Sequence, residues 1–128
     1  MVSRVLVVED DPDIRMSLEL VLADAGYLVR SAANGRDALA QMLDEPPDVI
    51  VLDLMMPVMH GWALAETLRN HPVLGHIPLI VTSAAGEPVP PDGDLILHKP
   101  YDLETLLSAV SHFCRRTYAT REQPAATP

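Results

Sequence analysis

The sequence predicts an α/β fold, a doubly wound five-stranded parallel sheet, and three observations predict it. Five short apolar runs recur along the chain. Those around Val5-Leu6-Val7-Val8, Val49-Ile50-Val51-Leu52 and Leu79-Ile80-Val81 lack the polar alternation of a sheet wetted on one face. Stretches with helical spacing follow the first, second, third and fifth runs, and alternation of strand and helix is the pattern of βαβ units. Most of the runs also end in reactive groups: Glu9-Asp10 after the first, Asp53 after the third, Thr82-Ser83 at the fourth and Lys99 at the fifth.

In chain order, the first strand stops at Glu9-Asp10-Asp11, just before Pro12. Asp11 suits an N-cap and Pro12 the first helical position, so a helix is expected over 12–25. Its apolar face would carry Ile14, Leu18, Val21, Leu22 and Ala25, with Gly26 as the stop. Capping accounts for Asp11 and leaves Glu9 and Asp10 without a local duty. Tyr27-Leu28-Val29-Arg30 reads as a short second strand, placed at a sheet edge by its arginine. Asn34, with Asp37 three residues on, opens a second helix through Ala38, Leu39, Met42 and Leu43 that Pro46-Pro47 ends.

The third strand ends at Asp53. Beyond the carboxyl ends of parallel strands lies the crevice where ligands bind, although an acid after an apolar run also fits a loop residue meeting water. A loop from Met55 to Gly61 leads into a third helix through Trp62, Ala63, Leu64, Leu68 and Arg69, stopping near Asn70 and Pro72. Met55, Met56 and Met59 read as packing residues and Trp62 as a cover for the sheet edge. Between the fourth and fifth strands, residues 84–94 hold Gly86, Pro88, Pro90, Pro91 and Gly93. That content in so short a segment cannot make a crossover helix with its loops, so an extended or partly disordered crossover is expected. Asp102 is expected to cap a last helix with Leu103, Leu106, Leu107, Val110, Phe113 and Cys114 on one face, and Arg115 and Arg116 in its final turn, where cations suit the dipole. The domain is expected over 1–118, with 119–128 as a disordered tail or linker stub.

A chain of 128 residues with 48% hydrophobic content is the size of one domain with a real core. Eighteen acidic residues against nine Lys plus Arg leave a net charge of −9. That balance disfavours nucleic acid and anionic membrane as direct partners. The single Cys114 cannot form an internal disulfide and reads as a packed thiol. No signal peptide or spanning segment is visible, which makes the cytoplasm the expected compartment.

If the strands are parallel and in register, the groups at their ends converge on one sheet edge. Three carboxylates held that close repel by about 4 kcal/mol per pair at about 4 Å with an effective dielectric near 20, so the site calls for a cation. Oxygen ligands select a hard ion, and a small site completed by waters and a phosphate suits Mg2+ better than Ca2+. Lys99 adds positive charge from the other side. A carboxylate nucleophile, a metal, a hydroxyl and a lysine together make an apparatus for receiving a phosphoryl group.

From Val5 to about Arg116 the chain resembles the receiver domains of two-component response regulators, of which the chemotaxis response regulator is the single-domain type. The motifs that carry the resemblance are VLVVEDD, DVIVLDLMMPVMHG, PLIVTSA and a Lys-Pro pair. It implies a flavodoxin-like sheet in the order 2-1-3-4-5, here with the helix between strands four and five shortened or missing. It implies Asp53 as phosphoacceptor, Glu9 and Asp10 as organisers of Mg2+, the Met55 carbonyl as a further metal ligand, and Lys99 as a contact to the phosphoryl group. The switch hydroxyl would be Ser83, by alignment on Pro78 and Ala84, with Thr82 one residue away; Pro57 and Gly61 match the loop after the acceptor. A histidine kinase or phosphotransfer protein would be the donor, and a protein partner would read the output from a monomer or weak dimer. The chain would catalyse its own phosphorylation and slow dephosphorylation rather than act as a conventional enzyme. Ile96 stands where many members carry an aromatic switch residue, so the output face at 84–98 is expected to be atypical.

Two other readings compete. A pseudo-receiver would keep the fold and serve as a constitutive protein-binding module through the face around 84–98. A phosphohydrolase with an aspartyl intermediate would want an acid two residues after the nucleophile, where Met55 stands. No GxxxxGK loop is present for nucleotide hydrolysis. His60, His71, His76, His98 and His112 lack metal-ligand spacing and read as surface or loop residues, His60 and His98 included, since neither has an evident partner in the sequence.

Overall fold

Unbroken apolar strands must be covered on both faces, and the chain does this by sending its helices alternately to either side. The computed structural model describes residues 2–54, 61–84 and 93–122, without the side chains of 61, 62 and 118–122. Strands β1 (Arg4–Val8), β2 (Leu28–Ala32), β3 (Val49–Asp53), β4 (Leu79–Ala84) and β5 (Leu95–Lys99) form one sheet in the order β2-β1-β3-β4-β5. Every neighbouring pair is parallel. The helices are α1 (Pro12–Asp24), α2 (Gly35–Asp44), α3 (Gly61–Arg69) and α4 (Leu103–Glu122), with a short 3-10 turn at Leu74–His76. Among the described residues no helix stands between β4 and β5, as the proline content of that segment requires.

Strand alternation divides the core in two. Val5, Val7, Val49, Val51, Ile80 and Leu97 face Leu18 and Leu22 of α1 and Leu106, Val110 and Phe113 of α4. Leu6, Val8, Ile50, Leu52, Leu79 and Val81 face Met42 of α2, Leu64 and Leu68 of α3, and Leu74. The sheet therefore carries α1 and α4 on one face and α2 and α3 on the other. None of the described helices is long and apolar enough to cross a membrane.

Local chemistry sets the element ends. The Asp11 carboxylate accepts from the Asp13 and Ile14 N–H groups at 2.9 and 3.2 Å, and Asn34 accepts from Asp37 N–H at 2.9 Å. Gly26 has φ 101°, open to glycine at little cost, and turns the chain out of α1. Tyr27 belongs to that turn, its N–H bonding Leu22 O, so β2 starts one residue later than expected. It also runs on to Ala32, because Ser31 and Ala32 pair with Val7 and Val8.

The last helix corrects a second expectation. Arg115 and Arg116 do not lie in its final turn, because α4 continues to Glu122, past the boundary expected at 118. The Thr117 hydroxyl donates to Phe113 O at 3.0 Å, and the Arg116 guanidinium lies 5.9 Å from the centroid of the Phe113 ring. Ile14 and Leu103, expected on apolar faces, are 44% and 49% exposed. Cys114 is buried, and that burial pushes its thiol up to about 11, as an inert packed group. The expectations for Met55, Met56, Pro57, Met59 and His60, for the Trp62 side chain, for the crossover over 85–92 and for the tail beyond 122 lie outside the described residues.

Where a crossover helix would enter β5, an ionic clamp fixes the strand instead. The Asp94 carboxylate accepts from the Leu79 N–H at 2.7 Å and from the Arg69 guanidinium at the end of α3. Asp94 N–H returns a bond to Leu79 O at 2.9 Å, and Arg69 also donates to Gly75 O. Charge-assisted bonds of this kind contribute about 2 kcal/mol each. Asp94→Ala is expected to destabilise the fold by about 2 kcal/mol in urea titration, and a midpoint equal to wild type would show that the clamp contributes nothing.

Candidate functional site

The register decides which strand-end groups meet. Asp53, the last residue of β3, pairs with Thr82 of β4, and Thr82 with Leu97 of β5. Side chains alternate along a strand, so Asp53 and Thr82 continue the face of Val51 and Ile80, and Lys99 continues that of Leu97. Glu9 follows Val5 and Val7 in the same sense. The four groups thus sit at the carboxyl edge of the sheet on the side of α1 and α4.

Asp53 is 4% exposed and Glu9 3% exposed, while Asp10 is open to solvent. One carboxylate oxygen from each lies within 4.8 Å of the other two. Lys99 Nζ donates to Asp53 Oδ1 at 3.0 Å and is followed by a cis peptide bond to Pro100. Glu9 accepts the Asp11 N–H at 3.3 Å. Burial, then the hydrogen bond to and the charge of Asp53, push the Glu9 carboxyl from 4.5 up to about 8. Burial of Lys99 works against its charge, but the hydrogen bond and charge of Asp53 outweigh it and the ammonium is held above its ordinary range. Burial also raises the Tyr101 phenol.

The donor set fits a hard divalent cation. Its three ligating groups are all carboxylate oxygens, and Glu9 is pushed well above the usual carboxylate range by burial and by its neighbour Asp53. Glu9, Asp10 and Asp53 would hold such an ion; the Met55 carbonyl lies outside the described residues.

Ser83, expected as the switch hydroxyl, has a partner on β5. The Ser83 hydroxyl continues the Val81 face, on the side of α2 and α3, and meets His98 Nδ1 at 3.2 Å. It is Thr82 that shares a face with Asp53. His98 therefore has a partner, contrary to the reading of it as an isolated surface histidine. His71 also works locally, its Nδ1 accepting the Val73 and Leu74 N–H groups. His76 and His112 are exposed.

Sequence reasoning also missed Arg15, whose guanidinium donates to the carbonyls of Glu9 and Asp10 at 2.9 and 3.3 Å. The signal was its place one turn into α1, since helical side chains lean back toward the N-terminus. Beside Lys99 a groove of about 440 Å³ opens between Asp13, Ile14 and Ser17 of α1, Tyr101 of the β5–α4 connection and Leu103 at the start of α4. A smaller cavity of about 210 Å³ lies at the other end of the sheet, where Arg4 and Arg30 on its rim both pair with Glu45.

The acidic cluster makes stability depend on pH. The folded chain keeps the Glu9 proton to about pH 8 whereas the unfolded chain releases it near 4.5, so raising the pH through that window favours unfolding. In chelator-containing buffer the urea midpoint is expected to fall from about pH 5 to about pH 8, and Glu9→Gln is expected to flatten that fall. A variant with the wild-type slope would show that Glu9 does not carry it.

The family model for the response regulator receiver domain matches residues 5–111. The chain is 33% identical over 120 residues to the DNA-binding dual master transcriptional regulator RpaA of Synechocystis, covering 89% of this chain and 50% of that protein. Among solved structures, chemotaxis protein CheY4 of Vibrio cholerae superposes with TM-score 0.78 at 32% identity, covering 88% of this chain and 99% of the other. The receiver domain of a signal transduction histidine kinase from Syntrophus aciditrophicus gives TM-score 0.82 at 28% identity, with 98% of each chain covered. The chain spans about half the length of most of the curated relatives it matches. An all-parallel sheet in this order, acids at the ends of β1 and β3, a lysine at the end of β5 and a family match over most of the sequence give one conclusion: the chain belongs to the response regulator receiver domains of two-component signalling.

Proposed function

We propose that Asp53 accepts a phosphoryl group, with Mg2+ bound by Glu9, Asp10, Asp53 and the Met55 carbonyl, and that the resulting charge switches protein contacts. Phosphoacceptor chemistry is general in the family. The observation that carries it to this residue is the buried Asp53 carboxylate, 3.0 Å from Lys99 Nζ and within 4.8 Å of the Glu9 and Asp10 carboxylates.

One Asp53 oxygen attacks phosphorus as the bond to the donor breaks. The electron pair stays on the leaving atom, the histidine nitrogen of a kinase or phosphotransfer protein, and that ring takes up a proton. Glu9, Asp10 and Asp53 would hold Mg2+, which would supply positive charge for the transferring oxygens. Lys99 already faces Asp53 and is held in its charged form, so its ammonium needs only to move from the carboxylate to a phosphoryl oxygen. Burial of Asp53 keeps bulk water away from the acyl phosphate, consistent with slow self-hydrolysis. Arg15 holds the backbone of Glu9 and Asp10 in place. The groove beside Lys99, with Ile14 and Leu103 exposed on its walls, offers a docking edge to the donor protein.

Incubation with acetyl phosphate and Mg2+ is expected to add the mass of one phosphoryl group, and Asp53→Asn to abolish it. Lys99→Ala is expected to slow the addition about a hundredfold, the scale for removing one preorganised donor at developing charge. An unmodified wild-type protein, or a modified Asp53→Asn, would refute the assignment.

A further inference from the structure

The end of β5 presents two functional groups to opposite faces of the sheet: Lys99 bonds Asp53, and its neighbour His98 meets Ser83. Ser83 is fully buried, and a buried hydroxyl needs a partner. Among the described residues its partner is the exposed His98, which stands directly opposite on β5, with Oγ and Nδ1 at 3.2 Å. Two positions earlier on the same face, Ile96 packs against Val81's cluster and offers no polar atom. The pair forms either with the hydroxyl donating to an unprotonated Nδ1 or with the ring N–H donating to the hydroxyl oxygen.

We propose that His98 is a positioning residue for Ser83: it holds the hydroxyl on the sheet face away from Asp53 and so sets the cost of bringing it to a phosphoryl group there. This rests on the reading of Asp53 as phosphoacceptor and Ser83 as the hydroxyl that answers it. For Ser83 to reach the Asp53 side its bond to His98 must break. His98 and Lys99 are consecutive, so one strand end carries both the group that faces Asp53 and the group that holds Ser83.

The test is the affinity for beryllofluoride, a phosphoryl mimic, measured by titration calorimetry with Mg2+ on the full chain. His98→Val and His98→Ile suit a strand and remove an exposed side chain, so the core stays intact. Either is expected to tighten binding about fivefold, the factor that corresponds to one net hydrogen bond lost from the unliganded state. In a Ser83→Ala background the same substitutions are expected to change nothing. No tightening in the single variants, or equal tightening without the Ser83 hydroxyl, overturns the proposal while leaving the Asp53 assignment in place. A wild-type chain that binds no beryllofluoride and takes no phosphate from acetyl phosphate overturns both.

Discussion

The structure depends on the cost of holding three carboxylates together at the edge of an apolar sheet with one lysine among them. Asp53 and Glu9 are almost wholly buried, and at an effective dielectric near 20 each close pair of negative charges costs about 4 kcal/mol. The chain meets that cost in two ways. Lys99 lends its ammonium to Asp53, and Glu9 keeps its proton. Both are provisional arrangements that a divalent cation and a phosphoryl group would rearrange. A site that stores unfavourable charge in its resting form is one whose equilibrium responds to added ligands of the right sign.

The sheet makes this arrangement local. Its two faces carry separate apolar clusters, one with α1 and α4 and one with α2 and α3. Because strand residues alternate, neighbours in sequence act on different sides: Thr82 and Lys99 belong with Asp53, while Ser83 and His98 belong together across the sheet. The backbone of β4 and β5 thus carries groups of both sides at consecutive positions.

Much of this was legible because continuous apolar runs of strand length admit few structures. The runs at β1, β3 and β4, their acidic and hydroxyl ends, and the caps at Asp11 and Asn34 all follow from residue chemistry at fixed positions. What sequence reading missed depended on contacts across chain distance. Ile14 and Leu103 keep the helical spacing of core residues, yet face the groove beside Lys99, which is visible only once α1 and the β5–α4 connection are placed together. His98 looked unpartnered because Ser83 is fifteen residues away, and Arg15 because its target is a pair of backbone carbonyls, which leave no signature in composition. The length of α4 was underestimated since Thr117 and Arg116 are held by Phe113 one turn or less before them, not by a capping residue.

The Arg69–Asp94–Leu79 clamp bears on the length of the crossover. With β4 fixed by its neighbours and Asp94 tied to both Leu79 and the end of α3, the two attachment points of the intervening crossover hold their positions by themselves. Lengthening a connection between fixed points costs only about 0.6 kcal/mol per doubling. Changes of length in that connection would therefore cost the scaffold little, and the entry of β5 keeps its place through Asp94 whatever the crossover's length.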